Sequence, residues 1–123
     1  MSDKNYLGAS WVRFQSVPKG SAEYLELEWV VEQMWDLCGS EREKAWNAIQ
    51  EIIALDQSDN TLAMVGAGPF ENLMVHHGPL LIERVEVCAR VSPPFRRMLG
   101  VVWRNRMSEQ VWTRLKAIAP PSW

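Results

Sequence analysis

The stretch GAGPFENLMVHHGP, Gly66 to Pro79, holds three glycines, two prolines and both histidines of the chain. Three chemistries use such residues: phosphate cradling by glycines, metal ligation by imidazoles, and catalysis by a thiol beside a histidine. A phosphate loop needs a strand before its glycines, and then a third glycine or a lysine with a hydroxyl after them. None of these is present. Pro69 lacks a donor amide, and Glu71 puts a carboxylate where the helix dipole already favours one. His76 and His77 are adjacent, so on a helix they point roughly 100° apart. Helical metal ligands instead stand at i and i+4. No metal and no cofactor is expected. Cys38 and Cys88 each sit in apolar surroundings with nothing nearby to activate a thiol, and they read as buried free cysteines of a reducing cytosol. Asp56, Asp59 and Glu71 are the remaining candidate carboxylates, and two of these have turn or cap duties. The chain is therefore not expected to be an enzyme.

A second constellation lies in SAEYLELEWVVEQMWDLC, residues 21–38. On a helical projection Tyr24, Leu27, Val30, Val31, Met34, Trp35 and Cys38 share one broad face, the expected core face. Glu28, Glu32 and Asp36 form an i, i+4, i+8 stripe opposite, with no cation in the same helix. Like charges at that spacing repel by a few tenths of a kcal/mol. Leu25 and Trp29 stand beside the stripe. An apolar pair framed by carboxylates is the anatomy of a hot spot for a basic partner. Two other readings stand beside it: the N-terminal segment, with Trp11 and Phe14, folds over Trp29, or the stripe is only a solvated face.

Apolar spacing is helical nearly throughout, and strand-like alternation is scarce. A first helix over residues 3–15 carries Tyr6, Leu7, Trp11 and Phe14. SVPKGS follows as a linker. Ser21 caps a helix that Gly39 ends; Ser40 and Glu43 form a capping box for a helix to about Leu55. Asp59 caps a short helix ending near Val65. Gly66 and Gly68 break the chain, Pro69 starts a helix to Gly78, and Pro79 starts another to about Val91. Ser92 caps the next, with Pro93 and Pro94 in its first turn. Ser108 caps the last, to about Ile118. The expected fold is all-α: a single domain over 1–123, about six to seven short helices in sequential hairpins, with 1–20 as an N-terminal arm. The expected pairs are 41–55 with 59–65, 69–77 with 79–91, and 94–104 with 109–118.

The chain has 123 residues, enough for one core, and its 47% hydrophobic and 23% charged content is that of an ordinary globular protein. No apolar run is long enough for a membrane span, and MSDKNYLGAS lacks a signal peptide's apolar core, so a cytoplasmic protein is expected. The net charge of −2 conceals a polarity. Up to Gly78 there are 12 acidic and 5 basic residues; from Pro79 onward there are 3 acidic and 8 basic. The arginines of the second half are interleaved with Glu83, Glu86 and Glu109. Nucleic-acid binding is not expected from such a surface, while a homodimer that joins unlike halves is an option.

LAMVGAGPFENLMVHHG, then IERVEVCARVSPPFRRMLGVVW and SEQVWTRL, resembles a bacterial family of small helical proteins of unknown function. Its marks are an A-G-P-[LF]-E-x-L-[LM] core, a following H-G, an acidic-then-alanine helix, a P-x-F-R-x-x-L segment and a tryptophan. In this chain they fall on Ala67, Gly68, Pro69, Phe70, Glu71, Leu73, Met74, His77, Gly78, Glu83, Glu86, Ala89, Pro94, Phe95, Arg96, Leu99 and Trp103. W-x-x-I-x-E-I from Trp46 fits its upstream helix. The resemblance covers about residues 44–116. It implies no activity; toxin–immunity or mobile-element surroundings are what proteins of this kind suggest. Arg96 stands in a helix's first turn, against the dipole, and a link to Glu71, or to Glu83 or Glu86, is expected to offset it.

Together these readings favour a non-enzymatic protein-binding module. Its sharpest form is an immunity-type inhibitor that occludes a basic site on a toxin through Leu25, Glu28, Trp29, Glu32 and Asp36. The alternative is a small helical enzyme or ligand binder with a pocket near Glu71, His77 and Arg96. A third reading is a nucleic-acid adaptor that uses the arginine-rich C-terminal third.

Overall fold

The computed structural model describes the backbone from Asp3 to Trp123 and side chains from Leu7 onward. The side chain of Tyr6 and the two residues before Asp3 lie outside what is described. The fold is all-α, with no strand among the described residues.

Helix α1 (Asp3–Ser16) buries Leu7, Trp11 and Phe14 and lies along α4 (Arg42–Leu55). Leu7, Trp11, Phe14 and Val17 of the expected N-terminal arm are thus part of the core. Gly8 permits this approach, since a Cβ there would stand 3.1 Å from Glu51 Cβ. At the far end of α1, Arg13 grips Glu23 with two hydrogen bonds of 2.7 and 3.0 Å. Phe14 stacks on Tyr24 with ring centroids 4.6 Å apart. Gly20 turns the chain with φ +81°, a conformation open mainly to glycine.

Ser21 caps α2 (Ala22–Leu27), its hydroxyl accepting the Tyr24 amide. Helix α3 (Trp29–Ser40) continues it. Glu28, between them, keeps right-handed helical angles, so the interruption is one tightened turn. Gly39 does not end α3, and Ser40 is not a cap: its hydroxyl donates to the Asp36 carbonyl inside α3. The joint is Glu41 alone (φ −138°, ψ 74°), and Glu43 pairs with Arg84 instead of closing a capping box. A hydroxyl at the end of one helix can bond back to the carbonyl four residues earlier, and that option wins over capping the next.

The largest departure from expectation is at Gly66–Pro79. Helix α5 (Asp59–Val65), a π-helical turn (Gly66–Phe70) and α6 (Glu71–Val91) run on as one path. Ser58 caps its start, with Asp59 just inside the first turn. Pro69 removes one amide donor and its ring crowds the carbonyl four residues back; a wider π turn accommodates both. Pro79 leaves only a kink, centred on His77 (φ −133°, ψ 16°), so the expected hairpin of 69–77 with 79–91 is absent. Gly66 has a packing role: a Cβ there would meet Val101 Cγ2 at 2.5 Å and the Met98 carbonyl oxygen at 2.7 Å.

Ser92 caps α7 (Pro93–Met98), a 3-10 turn follows (Leu99–Val101), and Ser108 caps α8 (Glu109–Ile118). Helix α8 packs mainly on α6, beside Gly78, and meets 94–104, its expected partner, less extensively. The π turn is the hub of the core. It touches α3, α4, α5, α6 and the 3-10 turn. Phe70 meets Phe95 edge-on at 5.7 Å, and Phe95 meets Trp46 at 5.7 Å. All three rings are buried.

Candidate functional site

The residues of the expected pocket are separate. Glu71 Oε1 accepts the Trp103 amide at 2.9 Å, and Oε2 accepts Asn105 Nδ2 at 3.1 Å. His77 Nε2 donates to the Gly39 carbonyl at 3.1 Å, tying α6 to the end of α3. Arg96 Nε donates to the Ile118 carbonyl at 3.2 Å. The expected carboxylate link to Arg96 is therefore replaced. A free carbonyl at the C-terminus of α8 carries negative charge suited to a guanidinium. Glu86 pairs with Arg114. Glu71, His77 and Arg96 each have their own backbone partner.

The other candidate groups are structural as well. His76 Nδ1 donates to the Asn72 carbonyl in its own helix, and the two imidazoles stand 6.2 Å apart. Among the described residues no three His, Cys, Asp or Glu side chains gather as metal ligands would. Cys38 donates to the Pro69 carbonyl at 3.3 Å, and burial pushes its pKa up to about 12. Burial also raises the Cys88 thiol. Neither is poised as a thiolate nucleophile.

The α2–α3 face is different. Val30, Met34, Leu37 and Cys38 are buried on one side. Leu25, Glu28, Trp29, Glu32 and Asp36 are all exposed on the other. Two residues expected in the core join them: Val31, and Trp35 at 58% exposed. The projected core face was too wide; α1, α4, α6 and the π turn together cover a narrower arc. Trp11 packs into the core and Phe14 against Tyr24, which leaves the outer face of α3 bare around Trp35.

Charge pairing sharpens the contrast. Arg84 bridges to Glu43, Arg97 to Asp59 and Arg114 to Glu86, so cations of the second half neutralise acids elsewhere. Each pairing holds its carboxylate below the ordinary range, chiefly through the hydrogen bond from the arginine. Among the described residues, Glu28, Glu32 and Asp36 have no such ion pair. An acidic ridge thus runs along α3, with Trp29 at one border and Val31 and Trp35 at the other.

Fold and face define an all-helical domain with one acidic, tryptophan-bordered surface and no convergent catalytic group among the described residues. A family model matches residues 17–121, and the chain belongs to that family, a family of unknown function (DUF6869). The match reaches further toward the N-terminus than the motifs suggested, and takes in α2 and α3. No curated protein and no solved structure matches the chain. No helix among the described residues is long and apolar enough to cross a membrane.

Proposed function

We propose that this chain is a non-enzymatic protein-binding module that docks a basic surface of another protein on the outer face of α2–α3. In its sharpest form it is an immunity-type inhibitor that occludes a basic site of a toxin. The observation that carries the reading is the mixture on α2–α3: Trp35, Val31 and Leu25 exposed among Glu28, Glu32 and Asp36, which lack ion pairs among the described residues while other acids have them. Covering exposed apolar area is favourable by about 25 cal/mol per Å². Tryptophans enclosed by a polar rim are what interface hot spots are made of. The carboxylates steer a cationic partner and set its register.

The test is affinity capture with the full chain beside a Glu32→Lys/Trp35→Ala variant that keeps its helical circular dichroism. A basic protein retained by the wild type, lost by the variant and released by salt supports the reading. Equal capture by both would show α3 to be only a solvated face.

A further inference from the structure

The C-terminal tail returns across α7 and closes a cleft distinct from the α3 face. The cleft, about 310 Å³, is lined by Ala89, Arg90, Pro93, Arg96, Arg97 and Pro120. Half of its lining is arginine, and no carboxylate lines it. Two of the guanidiniums are positioned by bonds through Nε: Arg96 to the Ile118 carbonyl at 3.2 Å, and Arg97 to Asp59 at 2.9 Å. The Trp123 ring lies 4.2 Å from the Arg97 guanidinium, and its Nε1 donates to the Arg97 carbonyl at 2.8 Å. The tail can lie this close because position 100 is glycine; a Cβ there would stand 2.7 Å from the Trp123 ring. Arg90 makes no hydrogen bond among the described residues, though Glu86, one turn back on α6, is near enough for the two charges to attract.

Three like charges around one concave space repel one another; Asp59 offsets Arg97 directly, Glu86 offsets Arg90 only at a distance, and Arg96 has no ion pair among the described residues. An anion in the cleft reverses the sign of that energy. The guanidinium is a planar fork that meets two phosphate oxygens at once. Ala89, Pro93 and Pro120 supply the apolar part of the lining, in a cleft that stays open to solvent. A volume of about 310 Å³ is at the lower end of small-molecule sites. We propose that this cleft binds a small phosphorylated molecule, with Arg90 and Arg96 gripping the phosphate and Arg97 completing the positive wall. The site is independent of the α3 docking face.

The test uses the full chain and pyrophosphate in isothermal titration calorimetry at low ionic strength. Saturable 1:1 binding is expected, with backbone amide shifts confined to Ala89–Arg97 and the tail. Arg90→Gln, which breaks no bond within the fold, should weaken binding about tenfold, as loss of a charged hydrogen-bonding partner does. Arg106→Gln removes the same charge from a loop outside the cleft and should change affinity by less than about twofold, because exposed charges at a distance are screened. Absence of saturable binding overturns the proposal. So does equal weakening by both substitutions, which would show only diffuse attraction to net charge.

Discussion

Glu71 and Trp103 are joined by a hydrogen bond of 2.9 Å from the Trp103 amide to the Glu71 carboxylate, whose other oxygen accepts Asn105 Nδ2 at 3.1 Å. One side chain at the start of α6 thereby fixes the loop before α8. Asn105 sits there at φ +50°, and Met107 anchors the loop in the core. Trp103 itself is 75% exposed, so its side chain does not hold the loop. The motif glutamate is a brace.

Removing that brace has a measurable cost. Glu71→Ala should lower stability by about 1 kcal/mol, the typical value of such hydrogen bonds at a partly exposed site. Urea denaturation reads the loss, and hydrogen exchange should speed up at the Trp103 amide. Unchanged exchange in a folded variant would remove Glu71 from this role.

The glycines of the π turn separate packing from flexibility. Gly66→Ala forces a Cβ against Val101 and the Met98 carbonyl, and should cost about 1–3 kcal/mol as overpacking does. At Gly68 a Cβ meets nothing within 4 Å. Gly68→Ala should therefore stabilise the helical path, by about 0.5–1 kcal/mol. Thermal denaturation of the two variants distinguishes them by sign, and a destabilising Gly68→Ala would contradict the continuous path.

The same turn explains how much of the structure was legible in the sequence. The caps at Ser21, Ser92 and Ser108 follow from local chemistry, and all three are observed. Gly66, Pro69 and Pro79 read as breaks because glycine and proline disfavour helix locally. Tertiary packing overrides this: the π turn absorbs Pro69, and Gly66 is small because a neighbour approaches. Val31 and Trp35 misled for the same reason. Periodicity gives the direction of a helix face, but its width depends on which helices cover it. Glu28, Glu32 and Asp36 were legible as a stripe because no cation stood at helical spacing.

Acid should weaken the fold in a defined window. Glu43 and Glu86 are held below their ordinary 4.5 by hydrogen bonds from Arg84 and Arg114. Asp59 is held below 3.8 by Arg97, and Asp56 by the Thr61 hydroxyl. Depressed carboxylates stabilise the fold above their unfolded values and lose that contribution as pH falls through the folded ones. The urea midpoint should fall as pH drops below 4.5, and Arg84→Gln should make the fall shallower. A midpoint that holds through this range would contradict the pairing.

The thiols should differ in reactivity. Cys38 is buried, donates to Pro69 and has its pKa pushed up to about 12, whereas Cys88 is only partly buried. Alkylation of the native chain near pH 8, followed by mass spectrometry, should label Cys88 first. Labelling of Cys38 ahead of Cys88 without unfolding would show the core around the π turn to be open.

The most direct test of the docking face is photo-crosslinking from within it. A photoreactive residue would replace Trp35, and in a second protein Trp103, the other strongly exposed tryptophan. Both would be irradiated in cells of the source organism. The expected result is a discrete adduct to a basic protein from position 35, absent from position 103 and lost when Glu28 and Glu32 are changed to lysine. No adduct from position 35, or one that survives the charge reversal, would contradict the claim that the acidic face of α3 is where this protein binds.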